Sequence, residues 1–399
     1  MTATQPRNRK GQKAASRGRH PASQVPADGR GPRRVIGNAT RVYVVLFLTV
    51  MALVLLGTVM VLSASAPESV ADTDSAWSLF WRQLRWVGLG LVAMMVLKQV
   101  DYHRLQVFAK PLMVGSTVLL GAVFLPGLGA SANGATRWLA FGGLQMQPSE
   151  VAKFGMVLFV AELLSRSTRP MSNPRITVGP IVVVTGCWCL LLLLQPHLGA
   201  ILVIGTIVMS MLFLAGAPLG PLTILGSGGI VLAGLMVWIT PWRRDRLFAF
   251  LDPASDPDKA GYQALQALGA ISEGGWAGLG LGGSYAKYGF LPEAHTDFIF
   301  AIIAEELGLV FALGVVLGFF SIGVAGMLAA VRAPDRFGLL LGVGITTWIL
   351  VQAVLNFGAV LSLLPVTGVT LPFLSFGGSS LVVTLAATGV LLNIARQGQ

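Results

Sequence analysis

The stretch GFLPEAHTDFIFAIIAEELG, residues 289–308, joins a loop rich in glycine and charge to a long apolar segment. Asp297 lies at the junction, and Glu305 and Glu306 lie inside the apolar segment. In a straight helix the two glutamates lie about 12–14 Å beyond Asp297, close to the centre of a bilayer. Acidic side chains in such positions are costly and are usually functional, so this stretch is where we expect the function.

The composition identifies the class of protein. Of the 399 residues, 54% are hydrophobic and 11% are charged, and the mean hydropathy is +0.74, which is far from a soluble globular chain. Several apolar runs approach the roughly 20 residues needed to cross a bilayer. We therefore predict an all-α polytopic membrane protein with about ten transmembrane helices. The predicted segments are residues 42–63, 79–98, 107–126, 148–165, 177–195, 198–215, 220–240, 297–324, 337–360 and 375–396.

Basic residues predict the orientation. The first 41 residues hold ten Lys and Arg residues and one acid, Asp28. The positive-inside rule then places both termini in the cytoplasm, with residues 1–40 as a disordered basic tail and residues 41–396 as the membrane domain. The large loop at 241–296, between helices 7 and 8, faces outward. Much of the net charge of +11 lies in the tail, so it does not indicate nucleic-acid binding.

Two outward loops are long enough to contribute to a site. In the loop at 127–147, Gly, Asn and Ser residues surround a short apolar patch, which favours a re-entrant or interfacial turn with Arg137 at headgroup level. The second loop contains Arg246 and apolar residues three apart from Tyr262 onwards, which favours a helix on the membrane surface. Its glycine run at 278–283 lacks the strand and helix of a nucleotide-binding motif, and loop closure near a substrate remains open.

Charged residues near the helix starts allow two interpretations. Glu150 and Lys153 are three apart on one helix face, which predicts an ion pair. Alternatively, Glu150 interacts favourably with the positive end of the helix dipole, while Lys153 extends to the membrane surface. Asp297 is either a functional carboxylate or a simple helix cap. Glu305 and Glu306 must face a polar interior or be protonated.

Several segments, in this order, resemble the SEDS family (shape, elongation, division and sporulation) of bacterial cell-wall polymerases. The match covers nearly the whole chain after the tail. LPEAHTDF, the Tyr262-Gln263 segment and the basic tail are more similar to the division members, FtsW, than to the elongation members, RodA. The matching segments are Arg137-Trp138, QPSEVAKF at 147–154, Arg246-Leu247 with Phe250 and Asp252-Pro253, LPEAHTDFIFAIIAEELG at 291–308 and LLPVTGVTLPFLSFGGSSL at 363–381.

The resemblance implies an inverting peptidoglycan glycosyltransferase that polymerises lipid II, an undecaprenyl-diphosphate-linked disaccharide-pentapeptide, for septal wall synthesis in cell division. Asp297 is implied as the general base, and its place near a helix N-terminus is expected to favour the ionised form at neutral pH. The residues implied in substrate binding are Arg137, Glu150, Lys153, Arg246, Glu305, Glu306 and Ser379.

The resemblance also implies a divalent cation, Mg²⁺ or Mn²⁺, although no ligand cluster in the sequence establishes one. Glu150 or Asp297, together with a diphosphate, would suit Mg²⁺. The expected partners are a class B penicillin-binding protein transpeptidase and other division proteins at the septum of the plasma membrane. The chain departs from the family at Pro196-His197-Leu198-Gly199, where an acid usually follows the proline, so a role of that acid is not carried to His197.

Three alternatives to a division polymerase remain. A RodA-like polymerase would act in elongation. A lipid II flippase or transporter would depend most on Glu305 and Glu306 as midplane acids. A scaffold without chemistry would depend neither on these acids nor on Asp297, whereas a polymerase would depend most on Asp297.

Overall fold

The computed structural model describes residues 41–73, 75–132, 135–141, 144–166, 174–252 and 261–398. The predicted basic tail at 1–40 lies outside the described residues, and so does the part of the large loop at 253–260. All ten predicted membrane segments contain a helix, and two further helices, α8 and α9, lie in the large loop. The helices are α1 (Arg41–Thr73), α2 (Ser78–Leu97), α3 (Leu105–Ala122), α4 (Pro148–Ser165), α5 (Pro174–Leu194), α6 (Leu198–Leu214), α7 (Leu219–Ile239), α8 (Pro241–Leu251), α9 (Tyr262–Gly274), α10 (Ile299–Val331), α11 (Arg336–Val360) and α12 (Gly378–Gln397).

The apolar helices agree with a multi-pass membrane protein. Within the described ranges, six helices are long and apolar enough to cross a bilayer, judged by length and composition. They are α1, α3, α7, α10, α11 and α12, and the apolar parts of α5 and α6 are shorter. The remaining two predicted spans, α2 and α4, carry charged residues that contribute to the sites described below.

The loop at 127–147 contains a small sheet where the sequence favoured an interfacial turn. Its strands are β1 (Gly129–Ala132), β2 (Ala135–Phe141) and β3 (Leu144–Met146), paired antiparallel in the order β1-β2-β3. The longest strand, ATRWLAF, contains the Thr, Trp and Phe residues that favour a pleated surface, and the glycines around it obscured this signal in the sequence. The sheet matters for the site because β2 carries Arg137.

Helix α9 confirms the helix predicted after Tyr262, and it packs on the protein through its small residues, while Leu265 and Leu268 stay exposed at 36% and 38%. The buried face consists of Ala264, Ala267, Ala270 and Gly274. Small side chains allow close approach, and a Cβ atom at Gly274 would lie 2.8 Å from the Glu305 Cα atom of α10. Helix α9 therefore packs tightly against α10.

Gly308 divides α10 into two helices that fold back towards each other. Its φ of 79° and ψ of 176° are not helical. Phe300 before the break and Phe319 after it both contact the Phe357 ring of α11, with ring centroids 4.7 and 5.6 Å away. In a straight helix the separation of 19 positions would place the two phenylalanines about 28 Å apart. The chain therefore turns sharply at Gly308.

The predicted position of Glu305 and Glu306 near the bilayer centre assumed a straight helix, and the break at Gly308 removes that assumption. Ser63 of α1 donates a hydrogen bond to Glu306, with 2.7 Å between the hydroxyl and Oε1. Ser63 lies 22 residues after Arg41, or about 33 Å along the helix, which is roughly the full thickness of the hydrocarbon layer. Glu306 thus lies about one hydrocarbon thickness from the start of α1, which continues beyond Ser63 to Thr73.

The glycine-rich segment 275–280 completes the backbone hydrogen bonding at the break. A helix end in a membrane needs protein partners for its free N–H and C=O groups, because lipid supplies none. Gly278 and Gly280 adopt positive φ values of 78° and 93°, which glycine permits at little cost. Four bonds join the two segments, from the N–H of Leu279 to Glu305, of Gly280 to Glu306, of Leu309 to Gly275 and of Val310 to Trp276.

The other end of the helical bundle, which we call the opposite end, brings several turns together. The Tyr102 hydroxyl donates to Asp335, joining the α2–α3 and α10–α11 turns. The Asn393 amide of α12 donates to the Lys98 carbonyl oxygen over 2.9 Å, and Arg336 donates to the Ala215 carbonyl oxygen over 3.0 Å. The basic turns predicted to be cytoplasmic thus meet at one end.

Candidate active site

A cavity of about 1050 Å³ lies at the end of the bundle away from these turns. Its wall comes from the start of α2, strand β2, helix α8, the turn before α10 and the loop before α12. Three predicted site residues, Asp297, Arg137 and Arg246, line this cavity. The other predicted site residues do not line it: Glu150, Lys153, Glu305, Glu306 and Ser379.

The backbone around Asp297 is held by the segments that follow α10. The Asn356 amide of α11 donates to the Asp297 carbonyl oxygen over 2.7 Å. The Ser375 hydroxyl donates to the Thr296 carbonyl oxygen over 2.6 Å, and the Phe376 N–H donates to that of His295 over 2.9 Å. Phe298, without a side-chain cap, precedes the first residue of α10, so Asp297 does not act as the helix cap.

Arg137 is fixed on one side and faces Asp297 on the other. Its Nε and Nη2 groups donate to the carbonyl oxygens of Gln195 and Pro196 over 3.2 and 2.6 Å, at the turn between α5 and α6. A Cβ atom at Gly368, which has a φ of 68°, would lie 3.7 Å from both Arg137 Nη1 and Asp297 Oδ2. Glycine at this position keeps the space between the two groups open.

Arginines from three elements give the cavity a positive lining. Sequence reasoning identified Arg137 and Arg246 but missed Arg82 and Arg85 of α2 and Arg243 of α8. The sequence did contain a signal for them, because these arginines lie on the side predicted to be outward, against the positive-inside rule. Two carboxylates, Glu293 and Asp297, also line the cavity, so cationic groups outnumber acidic groups and favour an anionic ligand.

The electrostatics of Asp297 differ from the sequence expectation. Burial, reinforced by the neighbouring Glu293 carboxylate, raises the pKa of Asp297 to about 7, although Arg137 and Arg246 oppose the shift. We expected the helix N-terminus to favour the ionised form, but the low-dielectric surroundings outweigh it. A carboxyl group with a pKa near the working pH is well suited to general base catalysis.

The arginines also influence one another. Burial lowers the pKa of Arg137, Arg246 lowers it further, and the Asp297 carboxylate acts in the opposite sense. Guanidinium groups stay charged at neutral pH even after such shifts, because their ordinary pKa lies far above neutral pH. A set of arginines that repel one another is stabilised when an anion binds between them.

Glu150 and Lys153 form a buried layer behind the cavity. Lys153 Nζ lies 2.8 Å from Glu150 Oε1, which confirms the predicted pair, and 2.7 Å from Gln352 Oε1. Lys153 is only 2% exposed, so it does not extend to the membrane surface. Ser379 lies nearby in the same wall and accepts a hydrogen bond from the Gln147 N–H over 3.1 Å. Gln147 and Thr370, which line the cavity, are bonded to Ser379 and Gln352, so this buried layer supports the cavity wall.

Glu305 and Glu306 face a polar interior and anchor the large loop to α10. Glu305 accepts hydrogen bonds from the Ser284 hydroxyl over 2.5 Å and from the Tyr285 N–H over 2.7 Å. Glu306 pairs with Lys287, with 2.8 Å between Oε1 and Nζ. Both glutamates are fully buried, and their observed contacts are structural.

Residues 43–399 match the protein family described as Cell cycle protein, FTSW_RODA_SPOVE. The chain belongs to this family. A relative from Thioalkalivibrio sulfidiphilus named "Probable peptidoglycan glycosyltransferase FtsW" is 42% identical over 376 residues, covering 92% of each chain. "Stage V sporulation protein E" of Bacillus subtilis is 39% identical over 354 residues, covering 88% of this chain and 96% of the relative.

A solved structure extends the similarity to three dimensions. It is described as "Structural coordination of polymerization and crosslinking by a peptidoglycan synthase complex". Its chain superimposes with a TM-score of 0.72 and 33% identity, over 88% of this chain and 96% of that one. The polytopic SEDS fold predicted from the sequence is therefore confirmed.

His197, at the position where the chain departs from the usual SEDS pattern, lies behind the cavity wall. Its Nε2 atom lies 2.9 Å from the Gln147 amide nitrogen, which donates, so the ring nitrogen accepts. Burial, then Arg137 and Lys153, lower the pKa of His197 well below its ordinary value. A neutral His197 therefore holds the Gln147 side chain, which lines the cavity.

The cavity offers few ligands for a resident metal ion. Among the described residues, no group of three or more His, Cys, Asp or Glu side chains is placed to hold one. Glu150, one of the two predicted ligands, pairs with Lys153 outside the cavity lining. Asp297 and Glu293 are the carboxylates on the cavity wall, so oxygens of a bound diphosphate would have to complete a Mg²⁺ or Mn²⁺ site.

Proposed function

We propose that this protein is a peptidoglycan glycosyltransferase that polymerises lipid II. The observation that carries the proposal is the juxtaposition of Asp297, whose pKa is raised to about 7, with arginines in one cavity. The reaction needs one group that accepts a proton and several that stabilise a diphosphate. The 42% identical relative named as a probable peptidoglycan glycosyltransferase supports the same assignment.

In the proposed reaction, Asp297 removes the proton from the 4-hydroxyl of one lipid-linked sugar. The oxygen attacks the anomeric carbon of a second sugar and forms the β-1,4 bond, while the bond to the lipid diphosphate breaks and the diphosphate leaves as an anion. Arg137 and Arg246, with the other arginines of the cavity, stabilise this developing charge through charge-assisted hydrogen bonds. A single attack inverts the anomeric centre, so no covalent enzyme intermediate is needed.

The proposal includes the setting of the reaction. The cavity would face outward across the bacterial plasma membrane, with both termini in the cytoplasm, as the positive-inside rule predicts. A class B penicillin-binding protein would crosslink the new strands, and other division proteins would join them at the septum. The similarity to a chain from a complex of polymerisation and crosslinking supports such a partner.

The alternatives receive less support. The transporter interpretation relied on Glu305 and Glu306 as midplane acids of a straight helix, whereas both are buried in contacts with Ser63, Ser284 and Lys287 next to the break at Gly308. The similarity to relatives with division and sporulation names favours septal synthesis over elongation, although one fold serves the whole family.

The direct test is polymerisation by the purified full-length chain. The protein in lipid nanodiscs is incubated with fluorescently labelled lipid II, with and without its transpeptidase partner, and the products are separated on gels. We expect a ladder of glycan strands that muramidase digestion removes. If neither preparation yields glycan, while an established polymerase does so on the same substrate, the proposal is wrong.

A further inference from the structure

An uncharged surface of large side chains follows α9 in the loop. Six of its residues are exposed, from 44% for Leu279 to 73% for Trp276. The only charged residue between 276 and 290 is Lys287, which is buried in its pair with Glu306. We call this surface the aromatic patch, and it consists of Trp276, Leu279, Leu281, Tyr285, Tyr288 and Phe290.

The patch lies at a defined height along the membrane helices. Leu53 of α1 packs against Gly318 of α10, so the two helices run side by side. From Arg41 to Ser63, α1 extends about 33 Å, and the second part of α10, residues 309–331, extends about 34 Å. Both lengths match the hydrocarbon thickness of about 30 Å, so Ser63 and the break at Gly308 lie about one hydrocarbon thickness from the opposite end, and α1 continues beyond Ser63 to Thr73.

The patch is attached at this height. Lys287, adjacent to Tyr288, donates a hydrogen bond to the Ser63 hydroxyl over 3.2 Å. The Val310 N–H donates to the Trp276 carbonyl oxygen over 3.5 Å. Val310 begins the exposed apolar face of the second part of α10, so the patch continues that face beyond the end of the span.

From this arrangement we infer that the aromatic patch contacts the headgroup layer of the membrane and fixes the depth of the cavity. Trp and Tyr rings are favoured at this layer because one part of the ring is apolar and the other forms hydrogen bonds. The absence of exposed charge from residues 276–290 also fits lipid better than water. The buried contacts of Glu305 and Glu306 connect the patch rigidly to α10, and α10 begins two residues after Asp297.

Spin-label accessibility in nanodiscs tests this inference without any assay of activity. Cys187 and Cys189 are replaced by Ser, and single cysteines replace Trp276 or Tyr288. Collisions with oxygen, which is enriched in lipid, and with a water-soluble nickel complex are then compared. The controls are Leu317→Cys, on the exposed part of α10, and Asp245→Cys, on the exposed surface of α8.

We expect both patch labels to give oxygen-to-nickel ratios between those of the two controls. Nickel accessibility equal to that of Asp245→Cys would place the patch in water and overturn the inference. Protection from both reagents would also overturn it, because it would indicate a protein surface, such as a second copy of this chain, over the patch.

A second measurement keeps the aromatic side chains in place. The emission of Trp276 is taken as the difference between the wild-type protein and Trp276→Phe, in bilayers with bromine either near the headgroup or deep in the acyl chain. We expect stronger quenching by the shallow bromine. Equal absence of quenching by both lipids would contradict contact with the headgroup layer.

Discussion

Asp297 and Glu306 lie nine residues apart in one motif, yet their surroundings are opposite. Asp297 faces a cavity in which arginines lie close but a space is left between them and the carboxylate. Glu306 is fully buried and is satisfied by Lys287 and Ser63. The difference shows that a charged residue in a membrane motif can have a catalytic or a structural role. A carboxylate that lines an open cavity can react with a ligand, whereas one that is fully buried and hydrogen-bonded stabilises the fold.

The largest effect on stability should come from removing the positive charge of Lys287, which pairs with Glu306. Lys287→Met leaves the Glu306 carboxylate buried without its partner, which should lower the free energy of unfolding by about 3–5 kcal/mol. Denaturant titration of the purified protein in detergent measures the change. Lys287→Met/Glu306→Gln should recover much of the loss, and exposed Lys110→Met should be neutral. A Lys287→Met protein as stable as wild type would contradict a structural role for the pair.

In contrast to Lys287→Met, Asp297→Asn should reduce activity and leave stability unchanged. It retains the size of the side chain and removes its basicity, so we expect polymerisation to fall at least about 100-fold. The free energy of unfolding should not fall. The folded protein holds the Asp297 proton up to about pH 7, whereas an unfolded Asp releases it near pH 3.9. Ionisation of Asp297 therefore destabilises the fold as the pH rises between these two values, and Asn removes this effect. Lipid II assays and thermal unfolding at pH 8 measure both quantities. The matched control is Glu273→Gln, which changes an exposed acid of α9. Near-normal glycan synthesis by Asp297→Asn would exclude Asp297 as the base.

Arg244 and Arg246 of α8 provide a further comparison between a residue that lines the cavity and one that does not. Arg246 lines the cavity, whereas Arg244 is absent from its lining. Arg246→Gln should lower kcat/KM for lipid II about tenfold, the scale of one charged hydrogen bond, while Arg244→Gln should change it little. Equal losses in the two variants would point to the overall charge of α8 as the cause.

The smallest effect should be a shift in pH dependence. A base must be deprotonated, so kcat/KM should rise with pH through about 7 as Asp297 ionises. Because the Glu293 carboxylate helps to raise this pKa, Glu293→Gln should move the midpoint to lower pH by about one unit or less. Profiles of both proteins measured over the same buffers would reveal the shift, and an unchanged midpoint would remove Glu293 from the tuning of Asp297.

Much of the fold was predictable because bilayer thickness imposes a length on apolar segments. A second regularity, the 3.6-residue turn of the helix, predicted the Glu150–Lys153 pair. Arg137, Arg246 and Asp297 came from motif resemblance, and the structure places them in one cavity. These predictions concern short-range geometry or family pattern, which a single sequence contains.

The break at Gly308 was not predictable in the same way. Glycine is common in membrane helices, and its φ of 79° here is stabilised by hydrogen bonds from residues about 30 positions earlier. Arg82 and Arg85 were missed for a different reason. They lie in an apolar segment that is typical of a membrane span, and only their position on the outward side, against the positive-inside rule, marks them in the sequence.

The break at Gly308 also bears on how this segment enters the membrane during synthesis. Residues 309–331 contain no Asp, Glu, Lys or Arg, so they can partition into lipid as one span. Glu305 and Glu306, which precede this span, need not enter the lipid with it. This avoids an insertion free energy of about 2.5–3.5 kcal/mol, the cost of an acidic residue such as Asp at the centre of a membrane helix. We expect the translocation machinery to recognise the second half of α10 as the inserting unit. The first half, which carries both glutamates, would then dock afterwards against protein that has already folded.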